Sequence, residues 1–205
     1  MNNVRVSVVK VGGSLLTWAD LPEQLRAWLE NENKSHPTTH FVLIAGGGQW
    51  VETIRSIDAQ HPLGDDQAHW ICVALMDVTA GLVSAMLPEL CVIDSWEELQ
   101  RRLAEPGVTL LRPGEFVATV EPTIHGTRLP ADWSVTSDAI AGRLAVALGA
   151  DSLALLKSAP PPADPTAGNW LARLADAGYI DRFLPNLAAE LPAISCVDFR
   201  AVRMP

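Results

Sequence analysis

Three stretches of the 205-residue chain hold side chains that could do chemistry. "VVKVGGSLL", residues 8–16, sets Lys10 inside an apolar run and follows it with Gly12-Gly13-Ser14. "IAGGGQWV", residues 44–51, ends a second apolar run in Gly46-Gly47-Gly48. "SVTSDAIAGRLAVALGADSLALLKS", residues 134–158, contains Thr136-Ser137-Asp138 and a second lysine at the end of an apolar run, Lys157. A charge buried alone costs far more than one hydrogen bond returns. Each lysine therefore needs an anion, either a ligand or a counter-ion. Glycines let backbone N–H groups approach an anion closely. Two such loops side by side, with a lysine beneath, would cradle phosphoryl oxygens. Phosphoryl transfer asks little more of a protein than positioning, metal ions and positive charge where negative charge spreads.

Alternatives stand beside this reading. Either glycine pair alone is compatible with a plain turn, and it is the pairing of two loops in consecutive strand–helix units that favours a cradle. Thr136, Ser137 or Asp138 could cap the following helix. Asp138 could instead sit between Lys10 and Lys157 and neutralise them while the site is empty. Two familiar motifs are excluded. The P-loop places its lysine after the glycines, and here Lys10 precedes them; the dinucleotide fingerprint GxGxxG fails because Val51 stands where its third glycine should be.

Net charge is −9, with 15 basic residues against 24 acidic ones, which excludes an extended nucleic-acid surface. A small anion bound locally is still accommodated. Cys72, Cys91 and Cys196 lie far apart, with no CxxC pair and no metal-ligand spacing, so they read as reduced thiols and no metal site is expected from protein side chains. The N-terminus lacks a signal-peptide pattern, and no purely apolar run reaches about 18 residues. The expectation is a cytoplasmic protein with no membrane segment. With 48% hydrophobic residues, residues 1–205 can form a single domain with a substantial core.

The elements that must position these groups follow from the apolar patterning. Strands are expected over 4–11, 40–45, 91–93, 108–111, 116–120, 152–157 and 193–199. Helices are expected over 21–31, 49–59, 65–87, 96–104, 137–148, 170–177 and 185–191. Trp50, Val51, Ile54 and Ile57 should form the inner face of the second helix. The helix over 65–87 is apolar enough to be buried on more than one side, against the sheet and in a subunit contact through Val73 and Met76, with Asp65-Asp66 as its cap. The Pro-rich stretch 159–169 reads as a loop, and Arg55 as a solvated helix residue. Alternating strands and helices predict an α/β fold with a mostly parallel sheet covered on both faces. Ligands in such sheets bind beyond the carboxyl ends of the strands, where both glycine loops and Lys157 fall.

Taken together, "KVGGSLL", "IAGGGQWV" and "VTSDAIAGRLAVALGAD" (residues 135–151) resemble the amino acid kinase family, which includes acetylglutamate, aspartate, uridylate and isopentenyl phosphate kinases. The resemblance implies a three-layer αβα sandwich around an open, mainly parallel sheet of about eight strands. It implies ATP with Mg2+, a small-molecule acceptor and a homodimer or higher homo-oligomer built on the helix after the second glycine loop. Carried over by position, Lys10, Asp138 and Lys157 would be the catalytic charges. Gly12, Gly13, Ser14, Gly46, Gly47, Gly48 and Ser137 would bind the phosphoryl group or the acceptor. His69, Trp70 and His125 could line the acceptor pocket, the other reading being helix packing for the first two and a plain loop histidine for the third. The family's nucleotide loop of "DGV" type is missing after Lys157, where "APPPADPTAGN" stands instead. The "AHW" at 68–70 and the tail "AGYIDRFLPNLAAELP" look most like a short branch of the family. That branch contains an aminomethylfuranmethanol phosphate kinase of methanofuran biosynthesis, within one-carbon cofactor metabolism. The expected function is ATP-dependent phosphoryl transfer to a small phosphate- or carboxylate-bearing acceptor. The alternative is a non-catalytic nucleotide- or phosphate-binding protein of the same fold.

Overall fold

A computed structural model describes residues 4–164 and 168–202. Residues 165–167 of the Pro-rich stretch, and the chain ends of the expected single domain, lie outside the described residues. Strand β1 (Arg5–Val11) and helix α1 (Leu21–Ser35) are followed by β2 (Thr39–Ala45), α2 (Gln49–Gln60) and α3 (Asp65–Met86). Then come β3 (Cys91–Ile93), α4 (Trp96–Arg102), β4 (Gly107–Leu111), α5 (Ser137–Ala147), β5 (Ser152–Lys157), α6 (Trp170–Asp176) and β6 (Ala193–Asp198). The sheet order is β3-β4-β2-β1-β5-β6, and every pairing is parallel.

The Val-rich β1 lies between β2 and β5, its Lys10 in register with Ile44 on one side and Leu155 on the other. The strand order reverses direction at β1, so the crevice for a ligand opens at its carboxyl end. Alternation along the strands divides the core in two. Val6, Val8, Val42, Ile44, Leu153 and Leu155 face α5, and Val9, Val11, Leu43 and Leu156 face α1.

The sheet has six strands among the described residues, where about eight were expected. One expected strand, 116–120, is a π-helical turn, Phe116–Val120. Asp77 accepts from the Gly114 amide and the Val117 amide bonds Pro113 O, which starts a helical turn where the apolar residues alone suggested a strand. Phe116 then stacks on Trp96. The expected helix over 185–191 is reduced to a 3-10 turn, Leu184–Leu187.

The apolar face of α2 does not point inward. No α2 residue is fully buried, and Trp50 and Ile57 are 37% and 41% exposed. This helix rests on α3 rather than on the sheet, with a cavity on its other side. Helix α3 is buried on more than one side, giving Val73 and Met76 to one core cluster and Ala80 and Val83 to the other. Val73 and Met76, expected at a subunit contact, are each 3% exposed and belong to the core; the exposed apolar residues of α3 are Trp70, Val78 and Leu82. By length and mean hydropathy alone α3 could cross a bilayer, but it packs on β2, β3 and β4. Asp65 and Asp66 do not cap it. Gly64 holds that position, and Asp66 accepts from Trp70 Nε1.

Val73→Asp should lower stability in urea by about 3 kcal/mol or more, whereas Val78→Asp should leave unfolding of the monomer within about 0.5 kcal/mol. Equal urea midpoints for the two variants would contradict this placement of α3.

Candidate active site

Strand parity aims both lysines at the same helix. Val6, Val8 and Lys10 alternate onto the face of β1 that α5 covers, and Leu153, Leu155 and Lys157 do the same on β5. Asp138, in the first turn of α5, meets both. Its Oδ1 lies 3.0 Å from Lys10 Nζ, and its Oδ2 accepts from Lys157 Nζ at 2.7 Å. Lys10 is only 4% exposed and Asp138 only 3%. Lys157 Nζ also donates to the carbonyl of Tyr179 at 2.8 Å, with the Tyr179 ring beside it.

The electrostatics follow from burial and charge. Burial pushes the Asp138 carboxyl up, but Lys10 and Lys157 together overcome this and hold it at about 2. The α5 N-terminus also favours a carboxylate there. Burial, and then the charge of Lys10, lowers the pKa of Lys157. A phosphoryl group entering between the lysines would relieve that repulsion.

The glycine loops press against each other. A Cβ on Gly13 would lie 2.1 Å from the Gly48 nitrogen, so the two loops touch backbone to backbone. Gly48 takes φ +65°, a left-handed value that glycine adopts without strain. Gly12, Gly13, Ser14, Gly47, Gly48 and Ser137 line a cavity of about 570 Å³ together with Lys10 and Lys157. Gly46 does not line it. Its amide bonds Val11 O, and a Cβ there would press on Ser137 Oγ at 2.8 Å and Lys10 Cε at 3.1 Å. It makes room for the lysine.

Of the three acceptor-pocket candidates, one lies in the cavity. His69 lines it, and burial lowers its pKa, which favours the neutral imidazole. Trp70 is turned outward onto Asp66. His125 is exposed outside the cavity, and only its carbonyl is engaged, by the buried Arg143. Arg55 is exposed on its helix, as expected, with Nε 3.5 Å from Glu52 Oε2, but it also reaches the site. Its guanidinium carbon sits 4.6 Å from the ring centre of Trp133, and both residues line the cavity. Trp133 is fixed in turn by Nε1 donating to Asp58 at 2.8 Å.

Neither Thr136, Ser137 nor Asp138 caps α5 with its own side chain. Thr136 occupies the cap position, and Asp181 supplies the carboxylate, accepting from Thr136 N, Thr136 Oγ1 and Ala139 N. Asp181 and Tyr179 belong to the segment after α6 and line a second cavity of about 880 Å³. The two cavities share Lys157, Arg55, Trp133 and Tyr179 and so meet at the charge cluster. Two ligand spaces converging on a pair of lysines suit transfer of an anionic group from one ligand to the other. Among the described residues no cluster of three or more His, Cys, Asp and Glu could hold a metal ion.

Comparison with known proteins agrees with this geometry. The model of the amino acid kinase family matches residues 5–161. Over 134 residues the chain is 26% identical to a [5-(aminomethyl)furan-3-yl]methyl phosphate kinase of Methanocaldococcus jannaschii, covering 65% of this chain and 56% of that protein. The chain thus spans little more than half the length of this relative. Among solved structures, uridylate kinase from Archaeoglobus fulgidus is similar with a TM-score of 0.59 at 18% identity, covering 93% of this chain and 89% of that one. UMP kinase from Bacillus anthracis gives 0.64 at 13% identity, with 96% and 88% covered. Aspartate kinase from Synechocystis gives 0.61 at 14% identity, with 95% of this chain and 38% of that one covered. At such identities these structures show the fold.

The Asp138 carboxyl lies below its ordinary value of 3.8 in the folded state, at about 2, so its contribution to stability is present above that ordinary value and is lost as pH falls through about 2. Urea unfolding between pH 4 and pH 2 should show the wild-type chain losing about 2 kcal/mol relative to Asp138→Asn. Parallel pH dependences for the two proteins would mean that Asp138 is not held by the lysines.

Proposed function

The chain belongs to the amino acid kinase family, and from that premise we propose that it is a phosphotransferase that moves the γ-phosphoryl group of ATP to a small acceptor that itself bears a phosphate. The observation that carries this is Asp138 bridging Lys10 and Lys157 where the two cavities meet. A protein that only bound an anion would not need two buried lysines held by one carboxylate. That argument, with the family, favours catalysis over binding alone.

In this reading the acceptor occupies the cavity beside the glycine loops and the nucleotide the one beside Tyr179 and Asp181. An acceptor phosphate oxygen attacks the γ-phosphorus, the bond to the β-phosphate oxygen breaks, and ADP leaves. The acceptor oxygen is already ionised at neutral pH, so no base is required of the protein. Lys10 and Lys157 hold positive charge against the oxygens of the group in flight. Gly13 and Gly48 bring backbone amides close to it, and Asp138 keeps both ammonium groups aimed. The described residues offer no magnesium site of their own, since Asp138 is engaged by both lysines. Mg2+ would arrive on the nucleotide's phosphates.

The acceptor has an apolar body and an anionic end. Val51, Val73, Met76 and Ile140 supply an apolar wall. Arg55, stacked on Trp133, supplies a planar cation outside the Asp138 cluster, suited to the acceptor's own phosphate. A furanmethanol phosphate like the one named for the Methanocaldococcus relative fits that description, with a place in one-carbon cofactor synthesis. The same reading has the chain as a cytoplasmic homodimer, joined through the exposed Val78 and Leu82 of α3.

The test incubates the full chain with ATP, Mg2+ and a panel of phosphomonoesters that includes the (aminomethyl)furanmethanol phosphate, and reads ADP. Lys10→Met should lower kcat by roughly a hundredfold or more while leaving the fold intact, because Lys157 still neutralises Asp138. Arg55→Ala should raise the acceptor KM roughly tenfold or more. Transfer at the wild-type rate by Lys10→Met would overturn the mechanism.

A further inference from the structure

We propose that Asp181 is a positioning residue for phosphoryl transfer, whose carboxylate holds the first turn of α5 in the register that presents Asp138 to both lysines, so that its protonation sets an acid limit on the reaction. The proposal rests on the kinase reading above, though its structural half does not.

Asp181 lies 42 residues beyond the N3 amide of α5, yet it is the group that caps this helix. Its Oδ2 accepts from Thr136 N at 3.0 Å, Thr136 Oγ1 at 3.1 Å and Ala139 N at 2.7 Å. Its Oδ1 accepts from Leu184 N at 2.8 Å, which fixes the carboxylate to its own segment. Asp138 sits between the captured positions Thr136 and Ala139. Any slip of this turn therefore displaces Asp138 relative to Lys10 and Lys157. The same segment grips the other half of the ion pair, since Tyr179 O accepts from Lys157 Nζ at 2.8 Å. Tyr179 is itself tied down by its hydroxyl donating to Ala159 O. Residues 179–184 thus act as one strap across both partners of the Lys157–Asp138 pair.

An ordinary cap would not require this residue. Ser, Thr or Asn satisfies an N3 amide, and Thr136 stands in the cap position already. Three donors on one oxygen call for an ionised carboxylate, because an amide oxygen is a weaker acceptor and its NH2 would face donors. The cost of that choice is a second buried anion beside the first. Burial, and then the Asp138 charge, raise the Asp181 carboxyl to about 6 despite its backbone hydrogen bonds. The charged groups around it are Asp138 on α5 and Lys157 on β5, with Arg55 on α2, Asp176 on α6 and the adjacent Arg182 lining the same cavity. Taking up a proton turns an acceptor-only group into one that must also donate. Of its four partners only the Thr136 hydroxyl can turn to accept, and the three backbone amides cannot, so the grip on the Thr136 and Ala139 amides loosens.

The experiment compares wild type, Asp181→Asn and Thr136→Val, the last being a milder variant that removes one of the four donors and keeps the backbone ones. In turnover with ATP, Mg2+ and the productive phosphomonoester, wild-type kcat should fall below about pH 6. Asp181→Asn should show kcat lowered roughly tenfold at pH 7.5, both KM values within about twofold, and only the shallower acid fall that protonation of the substrate phosphates near about pH 6 imposes on every variant. An acid limb in Asp181→Asn as steep as that of wild type overturns the assignment, as does a wild-type kcat in that variant. Amide hydrogen exchange supplies an arm that needs no acceptor. Exchange at Thr136 and Ala139 should accelerate roughly tenfold in Asp181→Asn, and less in Thr136→Val, while core amides of β1 and β2 stay unchanged. Unaltered exchange at both positions overturns the proposal even if no phosphomonoester in the panel is turned over. Altered exchange with every acceptor silent in wild type would count against the kinase reading and leave the strap standing.

Discussion

One carboxylate between two buried ammonium groups organises this molecule. Asp138 is needed because β1 and β5 each carry a lysine near the carboxyl end on the same face of the sheet, and two cations at that depth repel. In a medium of low effective dielectric such a pair could not stay charged without a counter-ion. The arrangement is weak as a source of stability, since desolvating three charges offsets much of their attraction. Its value lies in preorganisation: both cations are already stripped of water and aimed before any phosphate arrives.

The architecture around it follows from that need. Parallel pairing of β1 with β5 brings Lys10 and Lys157 to adjacent strand ends, and α5 covers that face so that its N-terminus meets them. Gly46 has no side chain because Lys10 and Ser137 fill the space. Gly13 and Gly48 have none because the two loops touch there. The buried Arg143 of α5 does similar work lower down. It bonds the carbonyls of Ile124 and His125 and the carboxylate of Glu121, fastening the long loop before the Asp138 turn to the helix that carries it.

What could be read from the sequence was whatever is encoded locally. Apolar runs ending in glycine located β1, β2 and their loops, and β5 ends at Lys157 as the pattern required. The Lys10–Asp138–Lys157 cluster was legible because all three residues sit at motif positions. What escaped is set by contacts distant in sequence. Arg55 becomes a site residue only because Trp133, 78 positions on, lies beneath its guanidinium. Asp181 becomes the α5 cap only because the chain after α6 returns across the site. The apolar residues of α2 imitate a core face, yet α3 and the cavity are its neighbours, so burial did not follow from amphipathicity. The segment 116–120 has strand-like residues, but Asp77 on α3 captures Gly114 and bends the backbone first.

A site for anions inside a protein of net charge −9 is no contradiction. Surface carboxylates act through water and salt, and their influence decays over about 8 Å at physiological ionic strength. Lys10 and Lys157 lie within the fold, with side chains 6% and 12% exposed, so a phosphate reaching them would meet little intervening water. There the local field outweighs the net charge. Asp138 keeps that field from costing the empty protein its fold. In the proposed reaction an entering phosphoryl group would add its negative charge to that of Asp138 around the lysines, and so offset the burial and the Lys10 repulsion that lower the Lys157 pKa.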